Sequence, residues 1–259
     1  MSVTLCLSDA HLPPAAVEES MGLAGRAGAE GLELTLAHGA ALSADTPLAR
    51  CDEWRRQGKE VAVRLVVIRC LFPADCDFGH DEAERRQQAR AWVSAALERA
   101  ARLGAECLHV APACLAMADA SGAPPEVDYA DALNRTYESL SELWPAAERC
   151  GVVLCVVPAT GRFLLSPLET RALLDRVNSA YVGAALDWEA VARVGHPPAW
   201  IRTLGQRMAV VRVGGQEPDL SAALKALAAV HFRGSIVLTG PADDDALTRA
   251  REVLARALP

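Results

Sequence analysis

The stretch Ala147-Glu148-Arg149-Cys150-Gly151-Val152-Val153-Leu154-Cys155-Val156-Val157 decides how the rest of the chain is read. A charged, helix-forming segment meets a glycine, and the glycine gives way to an unbroken apolar run rich in β-branched residues. Glycine ends a helix well because it enters the left-handed region without a Cβ clash. An apolar run with no polar alternation reads as a strand covered on both faces, the condition of a parallel sheet flanked by helices.

Outward from this junction the same alternation repeats to both ends of the chain. Strands are expected over residues 3–7, 31–36, 60–67, 107–111, 152–157, 182–186, 208–213 and 235–238, each followed by a helical pattern. Just upstream, a helix is expected over 129–149 with Leu133, Tyr137, Leu140, Leu143 and Trp144 on one face, and Pro145 should kink or divide it. A helix over 81–103 carries Ala89, Val93, Ala96, Leu97 and Ala100 on one face and stops at Gly104. Downstream, Ser166-Pro167-Leu168-Glu169 has the form of a capping box. A last helix is expected to begin at Asp243 to Asp245 and run to the end of the chain.

Eight such units predict one α/β domain over residues 1–259, a (β/α)8 TIM barrel. An open doubly wound sheet would place a glycine-rich turn after the first strand, where Ser8-Asp9-Ala10-His11 stands instead. Residues 113–128 read as a long loop after the fourth strand, on the face where barrel sites are built.

The net charge of -7, with Lys and Arg scattered, argues against nucleic-acid binding, which needs a basic footprint. No segment has the length and apolarity of a membrane span, and the N-terminal sequence lacks a basic region followed by an apolar run, so a cytoplasmic location is expected. The eight cysteines form no CxxC pair and read as buried free thiols. Nothing in the sequence fixes the oligomeric state.

Four passages carry a family resemblance. The segment from Ala27 through Gly28, Glu30 and Gly31 to Leu34, the entry Leu103-Gly104-Ala105-Glu106-Cys107-Leu108-His109-Val110, the quoted junction at Gly151, and Tyr181-Val182-Gly183-Ala184-Ala185-Leu186-Asp187 resemble, in order and spacing, the xylose-isomerase-like superfamily of sugar isomerases and epimerases. That resemblance implies a divalent cation held by a glutamate ending strand five, an aspartate ending strand six, a histidine ending strand seven and a glutamate ending strand eight. Here those positions fall on Val157, Asp187, Arg212 and Thr239, and the position three beyond the aspartate falls on Ala190. Neither a metal nor any other cofactor is therefore expected. The ligand implied is a small sugar or polyol, either acted on without metal or bound by a noncatalytic barrel that serves as a ligand- or protein-binding module.

Glu33 and Asp187 are the candidate proton carriers and Arg212 the electrostatic stabiliser, with Arg212 expected to occupy the cation's place and pair with Asp187. His109, Trp188, Ser8 and Arg64 are candidate substrate contacts. Four of them have a plainer alternative: an outward or lower-face position for Glu33, a satisfied core residue for His109, and a structural ion pair for Asp187 and Arg212. Val213-Gly214-Gly215 and the loop acids Asp75, Asp77 and Asp81 with His80 read as turns and caps, not as phosphate or metal sites.

Overall fold

The structure is a computed structural model that describes residues 3–12, 16–115, 127–214 and 219–240, together with Thr248 and Glu252. Much of the expected 113–128 loop, most of the last helix, Gly215, and the side chain of His11 lie outside the described residues.

Eight strands pair side by side in sequence order, and the first also pairs with the last, closing a parallel barrel. They are β1 Thr4–Ser8, β2 Gly31–Leu36, β3 Arg64–Cys70, β4 Cys107–Val110, β5 Val153–Val156, β6 Val182–Asp187, β7 Met208–Gly214 and β8 Ser235–Thr239. Between them run α1 Val17–Arg26, α2 Leu48–Glu60, α3 Ala83–Leu103, α4 Tyr129–Cys150, α5 Pro167–Val177, α6 Trp188–Ala192, α7 Pro197–Leu204 and α8 Asp219–Ala229. The fold is a single (β/α)8 barrel. Among the described residues no helix is long and apolar enough to cross a membrane.

The stop signals act as their chemistry requires. Gly104 and Gly151 close α3 and α4 in the left-handed conformation, at φ 80° and 66°. Helix α4 runs undivided through Pro145, because Leu143 and Ala147 on either side are buried against the barrel and offset the lost backbone bond. At α5, Ser166 accepts from the Glu169 amide as a capping box demands. Glu169 reaches one residue further back than the box predicts, to the Leu165 amide and the Tyr129 hydroxyl.

One boundary differs in a way that matters for the site. Strand β3 begins at Arg64, not at residue 60, because α2 continues through Glu60 and the chain turns at Ala62, which has φ 56°. All eight cysteines are free, but Cys114 is exposed and Cys150 half-buried, so burial holds for six of them.

Strand alternation sorts the side chains into two layers. Outward residues such as Leu32, Leu34, Ile68, Leu108, Leu154 and Leu186 join the large core beneath the helices. Inward residues Cys6, Val66, Val67, Cys107, Cys155, Val157, Ala185, Val210 and Val237 fill the barrel itself. Gly31 faces this interior because a Cβ there would lie 2.6 Å from the Cys6 sulfur. Two bulges adjust the alternation: β3 gains a residue opposite Leu32 and Glu33, and β7 gains one opposite Ala184 and Ala185.

Candidate functional site

The bulge in β3 pairs Glu33 with Val67, and both point into the barrel. Above the apolar interior layer, Glu33 is fully buried at the centre of a polar chain. Its Oε2 accepts from the Ser8 hydroxyl at 2.6 Å, and its Oε1 lies 2.9 Å from His109 Nε2 and 3.1 Å from Arg212 Nε. An ionised carboxylate only accepts, so His109 must carry its proton on Nε2. Burial by itself would raise the Glu33 carboxyl, but the hydrogen bond and charge interaction from His109, the charge of Arg212 and the Ser8 hydroxyl outweigh it and lower its pKa to about 2.

The bulge in β7 puts Arg212 directly opposite Asp187. Arg212 Nη1 donates to Asp187 Oδ2 at 2.6 Å, while Asp187 Oδ1 accepts from the Ala190 amide at 3.1 Å and caps α6. One guanidinium thus spans two carboxylates from β2 and β6, on opposite sides of the mouth. The expected Arg212–Asp187 pair is present, and Arg212's second partner, Glu33, was not foreseen.

The other sequence candidates separate clearly. Ser8 and His109 join the chain but are 1% and 3% exposed, so they position Glu33 and offer a ligand little surface. Trp188 packs into the core beneath the helices at 4% exposure, because it opens α6 with its ring turned away from the mouth's polar chain. Arg64 is a correction. It begins β3, at the end of the barrel opposite the mouth, and bonds Glu106 at 2.7 Å and the Thr4 hydroxyl at 2.8 Å. A strand running over 60–67 would centre on Arg64, whereas β3 starts there and so leaves it at the lower end.

The arginine of β3 at the mouth is Arg69. Two positions beyond inward Val67, it is half-buried and in register with Thr35 and His109. Nearby, Asp9 accepts from both the amide and the hydroxyl of Thr35, each at 2.7 Å. Burial pushes the Asp9 carboxyl up and the Glu33 charge adds to the rise, against the hydrogen bonds from Thr35 and the charge of Arg69. Period-two alternation puts Arg69 on the same inner face as Val67 once the strand is extended to Cys70.

The donors do not fit the divalent cation that the resemblance implies. Val157 is buried apolar surface at the strand-five position, Arg212 brings a positive charge to strand seven, and both Asp187 oxygens are engaged. Among the described residues no three metal-ligating side chains come together.

Residues 22–258 match the family model described as the xylose isomerase-like TIM barrel. The chain belongs to that family. Among solved structures it is similar to D-psicose 3-epimerase from Clostridium cellulolyticum H10, with a TM-score of 0.81 and 18% identity, over 97% of this chain and 99% of that one. It is similar as well to 3-keto-D-glucoside 4-epimerase from E. coli, with a TM-score of 0.77 and 16% identity over 99% of both chains. A further D-psicose 3-epimerase, solved in the presence of D-fructose, gives 0.78 and 17%, over 99% of this chain and 97% of that one. At such identities the likeness is one of fold. No curated protein matches the sequence.

Proposed function

We propose that this family member binds a small sugar or polyol at the C-terminal mouth of its barrel without a divalent cation, the Arg212 guanidinium standing in the cation's place. The observation that carries this reading is the single arginine bridging Glu33 and Asp187, which supplies positive charge and uses up the carboxylates a cation would need. The sugar epimerases that share the fold support the ligand class. Glu33 is better suited to holding Arg212 than to moving a proton. It is fully buried, and a carboxylate with a pKa of about 2 is a weak base.

The test joins elemental analysis to ligand binding. Purified protein should carry no stoichiometric divalent metal, and its affinity for neutral polyols should be unchanged by a chelator. A cation bound near Asp187, or binding that needs added metal, would overturn the proposal.

A second reading, metal-free catalysis, is favoured by Asp9 alone: a half-buried carboxyl, oriented by Thr35 and raised by its burial, has the properties of an acid–base group. It requires exchange of a sugar carbon-bound hydrogen with deuterated water, followed by NMR, that Asp9→Asn abolishes. Without such exchange the barrel is a binding module.

A further inference from the structure

On the inner faces of the described strands, one charged side chain is left unmatched. Glu33 and Asp187 share Arg212, and the Asp9 carboxylate turns both oxygens to Thr35. Among the described residues the Arg69 guanidinium forms no ion pair and no hydrogen bond, although it is half-buried on the inner face of β3 and its charge reaches Asp9. A partly dehydrated guanidinium presents five donors in a fixed fork and has lost part of its hydration, so an acceptor of matching geometry gains more from it there than in open solvent.

We infer that Arg69 is the ligand-recognising cation of the mouth and that it selects a sugar acid, a polyhydroxy molecule carrying one carboxylate. The inference rests on the proposed function, since it names the class of polyol that the mouth takes. A carboxylate meets the guanidinium fork with two parallel hydrogen bonds, while Thr35 and Asp9 beside it suit the adjacent hydroxyls.

Charge balance decides for a carboxylate over a phosphate. Arg212 is already committed to two carboxylates, which leaves Arg69 to face both Asp9 and the incoming anion. One negative charge is tolerable there, whereas a phosphate dianion would add a second with no other uncommitted arginine on the inner faces of the described strands to meet it. Arg64 lies at the other end of the barrel and cannot contribute.

Titration calorimetry of the full chain with D-gluconate, D-glucitol and D-glucose 6-phosphate tests this. The first two differ only in whether the terminal carbon is a carboxylate or an alcohol. Gluconate should bind about tenfold or more tightly than glucitol, and the preference should shrink with added salt. Arg69→Gln should abolish the preference, Arg69→Lys should keep part of it through charge without the fork, and Arg64→Gln should leave it intact. Thermal melting of each variant separates loss of the fork from loss of the fold. Equal affinity for gluconate and glucitol, with Arg69→Gln changing neither, would overturn the inference and leave the polyol reading standing. Tighter binding of the phosphate would overturn the choice of carboxylate. Binding of none of the three would remove both the inference and the proposed function on which it rests.

Discussion

The barrel carries arginine–carboxylate pairs at both ends, alike in length and unlike in surroundings. At the lower end Arg64 meets Glu106 at 2.7 Å with both side chains more than half exposed; at the mouth Arg212 meets Asp187 at 2.6 Å and Glu33 at 3.1 Å, with side-chain exposures of 10%, 21% and 0%. Distance therefore says little about what each pair is worth. Water and salt screen the lower pair, and such pairs contribute about 0–1 kcal/mol. The mouth network pays its desolvation cost on folding and is held only while every partner is present. Removing one member there strands the others.

The largest expected effect comes from breaking the mouth network at its cation. Arg212→Leu leaves two carboxylates facing an apolar side chain and should destabilise the protein by about 3–5 kcal/mol in denaturant unfolding. Because Glu33 is also a partner, removing Asp187 in the same chain should not restore stability. It leaves Glu33 stranded and deletes the cap of α6, worth about 1 kcal/mol. Glu33→Gln in the Arg212→Leu background should recover part of the loss. If the Arg212→Leu, Asp187→Leu double variant is as stable as the wild type, Glu33 is not the centre of the network.

Acid should separate the two ends next. The Glu33 carboxyl is depressed from 4.5 to about 2, so its contribution is fully present above about pH 4.5 and is lost as pH falls toward 2. The loss integrates to something on the order of 3 kcal/mol. Unfolding measured against pH should show this acid limb in the wild type and a flatter one in Glu33→Gln. An unchanged limb in that variant would mean that other carboxylates govern acid unfolding. The smallest effect belongs to the lower pair: Arg64→Gln should change stability by less than about 1 kcal/mol, and 1 M salt should erase the difference.

Much of this barrel was legible in sequence. Seven of the eight strands begin within a residue of where continuous apolar runs place them, because a strand buried on both faces must be apolar throughout. The third strand was misjudged: Val61-Ala62-Val63 is apolar enough to look like strand, while Gly58 and Lys59 still belong to a helix held by packing of Cys51 and Trp54. That shift of a few residues leaves Arg64 at the lower end and brings Arg69 to the mouth, since strand position decides at which end of the barrel a side chain emerges. The Arg212–Asp187 pair was accessible because the two residues end consecutive strands. Glu33 joins them across the barrel, and its 179-residue separation from Arg212 leaves no local pattern to read.

The sequence by itself determined the architecture and the pairing of neighbouring strand ends. Those properties depend on residue type, period and order, all of which are local. Only the tertiary structure decided that Glu33 is fully buried among Ser8, His109 and Arg212, that Trp188 belongs to the core, and that Arg69 and not Arg64 faces the mouth. The bulge in β3 lets Val67 and Arg69 share the inner face with Glu33, and the bulge in β7 sets Arg212 opposite Asp187. A bulge leaves the composition of a strand unchanged, so the side chains it re-aims come to light only once the barrel is closed.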